Sequence, residues 1–294
     1  MALAASVVQV NVCLDSWLAM KAGDWGPSVL GYADRLIYFP LAIFGTAFAT
    51  ALLPSLSSSA ANGDFESFAG DFQRSVATMC AIMLPSAIGL VALADPLISL
   101  IYKMGAFDSV ATVRTAHALS AYAIGLVAAG ATKIAPQAFY AMKDSKTPVT
   151  VGVACVALNL CLNLFFIWVL PPEWKPIGIA FATSVSSFVH CIALLCILSR
   201  RANGGVRIFR WLPLARPLAA SVAASAAMGA VAWFGFRWLS ALMPAWLHAK
   251  LSCAIAIAAT IALAAASYAA ILGLLCPSLL RDALSSLRHR RRRK

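Results

Sequence analysis

One arginine sits inside a long apolar stretch, where an ionisable side chain is costly and usually functional. Arg35 lies about seven residues into its predicted helix, roughly 10 Å deep at 1.5 Å per residue. Asp34 does not readily neutralise it, because adjacent helical residues point about 100° apart. Pro40 cannot donate to the carbonyl of Leu36, so we expect a kink just below Arg35. The pattern predicts a cavity that receives an anion such as phosphate; snorkelling or pairing with another helix's acid are the alternatives.

A second group combines one carboxylate with amide and hydroxyl oxygens at similar predicted depth. Asp15 lies near the outer end of the first helix, and Thr183 lies in the outer part of the sixth. Asn159 and Asn163 are four positions apart and therefore share one face of the fifth helix. Hard oxygen ligands of this kind suit Na⁺, or a carboxylate that carries a proton. Hydrogen bonding between helices is the alternative interpretation.

The remaining ionisable residues carry less information. Lys133 lies about one and a half turns from the end of its helix, where it reaches either a cavity or the membrane surface. His117 and His190 have no paired ligand or nucleophile, and packing or polar bridging is the preferred interpretation for both. The sequence contains no G-x-S-x-G, no H-E-x-x-H and no phosphate-binding glycine loop. An enzyme is therefore not predicted, and no resident cofactor is expected beyond a coupling Na⁺ or H⁺.

The elements that must position these residues are transmembrane helices. Of 294 residues, 62% are hydrophobic and 12% are charged, which excludes a soluble enzyme and a disordered chain. Only helices or closed barrels satisfy the backbone in lipid, and the apolar runs are too long for barrel strands. The sequence predicts an all-α polytopic membrane protein with about eight transmembrane helices. The runs are 2–20, 28–54, 75–102, 113–140, 148–170, 177–199, 212–240 and 247–276.

The basic residues predict the orientation. The net charge is +12, and seven of the 23 basic residues lie in the last fourteen positions. That cluster follows an apolar helix, so it predicts a cytoplasmic anchor to anionic lipid headgroups and not a nucleic-acid site. With both termini cytoplasmic, fifteen basic residues lie on the cytoplasmic side and six on the other.

Two segments between the runs suggest the domain organisation. Phe65, Phe68 and Phe72 recur at helical spacing, which suits a short amphipathic helix on the cytoplasmic surface or a solvated loop. The polar stretch 200–210 marks a boundary. It gives a six-helix lobe at 1–205, a helix pair at 206–276 and a basic cytoplasmic tail at 277–294.

Three motifs then suggest a family. YADRLIYFPLAIFGTAFATALLPSLS at 32–57, YKMGAFD at 102–108 and APQAFYAMKDSKTPV at 135–149 occur in this order. They resemble the second-lobe motifs of the MurJ/MviN lipid II flippases, which belong to the multidrug/oligosaccharidyl-lipid/polysaccharide exporter superfamily. The match covers about residues 5–200 well, and the last helix pair matches in position and hydropathy.

The resemblance implies two six-helix lobes and a final pair that lines a groove for the lipid tail. It also implies a central cationic cavity for the pyrophosphate and sugar-peptide head group. Arg35 falls on a cavity arginine of the family, and Ser28 matches a position near that cavity. Asp15, Asn159, Asn163 and Thr183 fall where a coupling-cation site would lie.

The sequence departs from the family in that its helices begin at what would be the seventh. This numbering leads us to expect a chain without the first lobe, and Tyr38 stands where an acid often follows the arginine. The first hypothesis is the C-terminal part of a flippase that moves undecaprenyl-pyrophosphate-linked peptidoglycan precursor (lipid II) across the bacterial cytoplasmic membrane. That part would pair with a missing first lobe, and whether it transports without that lobe is left open. The alternative is a non-transporting scaffold or remnant that binds anionic lipid or partner helices.

Overall fold

Long helices account for nearly all of the described chain. The computed structural model describes residues 2–105, 107–242 and 249–282. The helices are α1 (Ala2–Ala22), α2 (Gly26–Pro40), α3 (Thr46–Ala61), α4 (Phe65–Ala92), α5 (Ala94–Tyr102), α6 (Ser109–Ala141), α7 (Lys146–Val169), α8 (Lys175–Arg200), α9 (Leu212–Leu242) and α10 (Ala249–Leu275). A small antiparallel hairpin of β1 (Ala202–Asn203) and β2 (Val206–Arg207) joins α8 to α9.

Seven helical segments of the described chain are long and apolar enough to cross a membrane. One of them runs without interruption from α2 through α3, and the others are α4, α6, α7, α8, α9 and α10. The prediction of an all-α polytopic membrane protein is confirmed. The predicted count was eight, and α1 is the predicted span that is not among these seven.

A π-helical turn lies just below Arg35, where the sequence predicts a kink. Residues Leu41–Gly45 form this turn directly after Pro40 and connect α2 to α3. Proline has no N–H and cannot complete the ladder of an α-helix, so the backbone adjusts locally. The chain therefore changes its helical phase inside the membrane segment.

The phenylalanines of residues 57–74 do not lie on a membrane surface, and that prediction was wrong. They belong to the first turns of α4, where Phe68 and Phe72 are fully buried. The ring of Phe72 meets that of Phe209 edge to face, with 6.0 Å between their centroids. Asp64 caps α4 by accepting a hydrogen bond from the backbone N–H of Ser67. The helical period of the aromatic residues was read correctly, but the core, not lipid, covers them.

Helix α6 runs through the middle of the bundle and is buried along most of its length. It crosses α8 very closely at Gly125, where an added Cβ would lie 2.6 Å from the Cα of Ser184. The hydroxyl of Ser184 donates to the carbonyl of Ala121 at 2.6 Å and accepts from the N–H of Gly125 at 3.1 Å. Small residues at such crossings let helix backbones approach each other, as is common in membrane bundles.

Helix α10 is attached to α4 by a hydrogen bond to a backbone carbonyl that a proline leaves without its helical donor. Pro85 lies inside α4 and cannot donate to the carbonyl of Ala81. The hydroxyl of Tyr268, on α10, donates to that carbonyl instead. Helix α9 lies against both α4 and α10. The division into a lobe at 1–205 and a pair at 206–276 stays a prediction.

Part of the predicted basic tail is described. Residues 277–282 form a short helical segment, in which Asp282 lies 3.9 Å from the guanidinium of Arg74. The remaining basic residues of the tail lie outside the described residues, and so does the predicted anchor to anionic lipid.

Candidate functional site

The four residues predicted to bind a cation meet in one cluster. The amide nitrogen of Asn163 donates to Asp15 Oδ1 at 2.6 Å, and the hydroxyl of Thr183 donates to Asp15 Oδ2 at 3.2 Å. Asn159 lies beside them, with its amide group 3.0 Å from the amide nitrogen of Asn163. Asn11, which the sequence reasoning missed, also donates to Asp15 Oδ2 at 3.3 Å. It stands four positions before Asp15, and that spacing was a signal for a shared helix face.

Three helices bring these side chains together. Asp15 and Asn11 come from α1, the two other asparagines from α7, and Thr183 from α8. Asn159 is 2% exposed and Asn163 is fully buried, so the amides are removed from solvent. The four-residue spacing on α7 places both on the same face, as predicted.

The carboxylate of Asp15 is held by neutral donors. The ion pairs among the described residues are Arg74–Asp282 and Arg201–Asp144, and neither involves Asp15. Asn163 Oδ1, buried in the same cluster, has no hydrogen-bond partner. A partly buried carboxylate and a buried amide oxygen without a partner form a negative site made of hard oxygens.

Hydrogen bonding fixes the orientation of the Asn159 amide. Its nitrogen donates to Asp15 Oδ1 at 3.0 Å and to Asn11 Oδ1 at 3.1 Å, and its oxygen accepts from the backbone N–H of Thr183 at 3.3 Å. The opposite orientation would point the amide oxygen at two other acceptors. Asn159 is therefore a further neutral donor to the carboxylate.

The cluster borders a cavity of about 430 Å³ between α1, α2, α6, α7 and α8. On α6 its lining runs from Tyr122 to Tyr140, a distance of roughly 27 Å at 1.5 Å per residue. The cavity therefore extends along much of the membrane span. Its ionisable lining residues are Asp15, Asp34, Tyr38, Tyr122, Lys133, Tyr140, Cys155 and His190.

Lys133 lines this cavity, which fits the first of its two predicted positions. Asp34 and His190 also line it, and sequence reasoning assigned a site role to neither. Asp34 directly precedes Arg35, and adjacent helical positions point about 100° apart, so the two side chains have different surroundings. His190 follows Thr183 by seven positions and so shares its face of α8.

Arg35 and Ser28 lie elsewhere. Both are exposed on one face of α2, seven positions apart, and neither lines the cavity. The guanidinium of Arg35 lies 5.6 Å from the centre of the Tyr32 ring, which packs against Tyr102 and Phe107. Their predicted role in binding the head group stays a prediction.

A second carboxylate, at the other end of the bundle, has a very different environment. Asp144 lies between α6 and α7, where it forms an ion pair with Arg201 and accepts from the hydroxyl of Thr147 at 2.7 Å. Desolvation raises the pKa of Asp144, but the hydrogen bonds from Thr147 and Arg201, together with the charge of Arg201, outweigh it. The net effect lowers this pKa from 3.8 to about 2. Arg201 also covers the ring of Phe139 at 5.1 Å.

A helical membrane bundle with an internal polar cavity and an anionic cluster is the architecture typical of membrane transporters. The chain matches the family described as Lipid II flippase MurJ over residues 1–256. It belongs to the lipid II flippase MurJ family, and the resemblance noted in its motifs is confirmed.

Individual relatives agree with this assignment. The chain is 32% identical over 271 residues to the probable lipid II flippase MurJ of Vibrio cholerae, covering 92% of this chain and 49% of that protein. It is also 32% identical to the probable lipid II flippase MurJ of Rhizobium meliloti, covering 81% and 43%. The chain thus spans about half the length of the curated relatives it matches.

A solved structure has the same fold. The structure described as lipid II flippase MurJ in an inward closed conformation superposes with a TM-score of 0.74 at 23% identity. The match covers 93% of this chain and 52% of that one. Together with the seven apolar segments, these findings make the chain a multi-pass inner-membrane protein.

Proposed function

We propose that this chain is the C-terminal part of a lipid II flippase. It acts as a transporter component and not as an enzyme. The whole transporter would move the undecaprenyl-pyrophosphate-linked peptidoglycan precursor across the cytoplasmic membrane by alternating access. Membership of the family supports this proposal, and so does the polar cavity that runs from the Asp15 cluster to Lys133.

Lipid II would contact the exposed face of α2. Arg35 supplies a guanidinium that matches phosphate oxygens in two-pronged geometry, and Ser28 adds a hydroxyl on the same face. Phe39, on this helix, is 69% exposed, and Trp17 of α1 is 53% exposed. Large apolar groups beside a cation suit a surface that a first lobe would cover. Lys133 would hold a second acidic group from within the cavity.

The Asp15 cluster would bind the coupling cation, Na⁺ or H⁺. Asp15 has no cationic partner among the described residues, and Asn159, Asn163 and Thr183 offer further oxygens. Asn159 would donate to Asp15 when the cation is absent. Because the cluster joins α1 to α7 and α8, ion binding would favour one arrangement of these helices.

The orientation follows from the charge distribution. With both termini in the cytoplasm, fifteen basic residues lie on the cytoplasmic side and six on the other. A cation that enters the cluster from outside would move with the membrane potential. One elementary charge crossing 100 mV contributes about 2.3 kcal/mol to this equilibrium.

Complementation of flippase-depleted cells tests the proposal. The chain is expressed alone and together with the N-terminal half of the Vibrio cholerae relative. We expect growth to be restored in the combination. Arg35→Ala should abolish the rescue at an unchanged protein level, because the head group loses its guanidinium.

Arg237→Ala is the matched control. Arg237 also covers an aromatic ring, lying 4.7 Å from the centre of Trp233, but on α9. It should leave rescue intact. Normal growth with Arg35→Ala would overturn the role assigned to that residue. Failure of rescue in every combination would instead favour the scaffold or remnant, which binds lipid or partner helices without transport.

A further inference from the structure

A second cavity lies at the end of the bundle that carries most of the described basic residues. It has a volume of about 440 Å³ and opens where α4, the start of α9 and the short helix 277–282 meet. It is separate from the cavity beside Asp15 and shares no lining residue with it. Its polar lining residues are Gln73, Arg74, Arg216, Ser278 and Asp282.

The charge of this cavity is positive. Two arginines and one carboxylate line it, and Arg74 lies 3.9 Å from Asp282. The Arg74 side chain is 67% exposed, so its donors are accessible from outside the protein. Arg216 projects from the first turns of α9 and is exposed as well. Guanidinium groups in this arrangement suit an oxyanion.

The backbone beside this cavity is held in place by the side chain of Gln73. The Gln73 amide donates to the carbonyl of Arg210 at 2.8 Å and accepts from its N–H at 3.2 Å. This pair of hydrogen bonds attaches the entry of α9 to α4. The beginning of α9 also directs the positive end of its dipole toward this region.

The surroundings have the character of a membrane interface. Trp211 is 46% exposed and Leu212 is 86% exposed, directly beside the cavity. Tryptophan is enriched at the level of lipid headgroups, and an exposed leucine fits the acyl region below. Pro213, Pro217 and Cys276 add apolar surface to the lining. A ligand here would have a charged end and an apolar end.

We propose that this cavity binds the phosphate headgroup of an anionic glycerophospholipid from the adjacent leaflet. Arg74 and Arg216 hold the phosphate, and the acyl chains run along the exposed surface near Leu212. Basic pockets between helices at this level are known to hold such headgroups. The lipid would join α4 to α9 and to the segment after α10, a role independent of lipid II transport.

Native mass spectrometry of the purified chain in detergent tests the proposal. The number of retained lipids is measured during titration with phosphatidylglycerol and with phosphatidylcholine. We expect the first to bind more tightly. Arg74→Gln and Arg216→Gln should each weaken phosphatidylglycerol binding about fivefold, and the double variant about 25-fold.

Two comparisons protect the test against misfolding. Arg207→Gln and Arg237→Gln remove the same charge from positions outside the cavity and should leave binding unchanged. Asp282→Asn removes the competing carboxylate and should strengthen binding about threefold. Equal binding by all variants, or equal losses in the control variants, would overturn the proposal. So would full displacement of the lipid by millimolar inorganic phosphate, because the site would then select free phosphate.

Discussion

Asp15 and Asp144 are the same residue type in opposite electrostatic settings. Asp144 has a cationic partner within the protein, because Arg201 forms an ion pair with it. The hydroxyl of Thr147 also donates to it. Asp15 is held by amide and hydroxyl donors from Asn163 and Thr183, and the ion pairs among the described residues do not include it.

The two carboxylates differ in whether the protein supplies a cationic partner. The ion pair of Asp144 with Arg201 links the turn between α6 and α7 to the end of α8. The charge of this carboxylate is already neutralised within the protein. A partly buried carboxylate with neutral partners keeps an unmatched charge, which a mobile cation can neutralise. We therefore expect the two acids to respond in opposite ways to added ions, to substitution and to pH.

The largest expected effect is the loss of Na⁺ stabilisation in Asp15→Asn. If Na⁺ binds the cluster at 100 times its dissociation constant, it stabilises the fold by about 2.7 kcal/mol. The thermal midpoint of the purified chain, measured in NaCl and in choline chloride, should differ for the wild type and coincide for Asp15→Asn. Asp144→Asn is the control and should retain the Na⁺ effect. A Na⁺ effect that survives in Asp15→Asn would exclude the cluster as the binding site.

Arg201→Gln should destabilise the chain by about 2 kcal/mol. The change removes the charged partner of a half-buried carboxylate and its contact with the Phe139 ring. Thermal unfolding followed by circular dichroism measures the loss. Arg200→Gln, at a neighbouring exposed position, should cost less than about 0.5 kcal/mol. Equal losses in the two variants would mean that the ion pair has no special role.

Thr183→Val should weaken Na⁺ affinity about tenfold and leave the fold intact. The side chains have nearly the same shape, but valine lacks the oxygen that lies 3.2 Å from Asp15. Loss of one interaction of about 1.4 kcal/mol corresponds to a tenfold change in affinity. Titration of the thermal midpoint with Na⁺ gives the affinity, and Ser187→Ala on the same helix serves as the control. An unchanged affinity would remove Thr183 from the site.

The smallest expected effect is a loss of stability in acid that depends on Asp144. Its pKa is lower in the folded chain, about 2 against 3.8, so its stabilising contribution is fully present above pH 4. That contribution should disappear as the pH falls from about 4 to about 2. The difference in stability between the wild type and Asp144→Asn, measured across this window, should shrink toward low pH. A difference that is constant with pH would contradict the assigned pKa.

The cluster around Asp15 could be predicted because helical spacing and depth are both readable from sequence. The four-residue spacing of Asn159 and Asn163 fixes a face, and counting residues from the helix ends fixes a level. The helical class of the fold follows from composition in the same direct way. Neither inference needed knowledge of which helices touch.

The sequence reasoning fell short where it had to specify which part of the protein packs against a given helix face. The Phe68 and Phe72 stripe has a correct period, but the sequence does not reveal that Phe209 and the core cover it. Likewise, sequence reasoning assigned no site role to Asp34, which lines the internal cavity. Adjacent positions on one helix point in different directions, and sequence alone does not say which direction is occupied.

The π-helical turn at Leu41–Gly45 has a geometric consequence for α2. Such a turn contains one residue more than an α-helix of the same path requires. If that residue were drawn into regular α-helix, α2 would rotate by about 100° relative to α3 and advance by about 1.5 Å. The same small rearrangement would move Arg35 away from its present side of the bundle. A neighbouring residue of α2 would take its place there. A shift of this one extra residue would therefore let α2 rotate relative to α3 in the middle of a membrane helix.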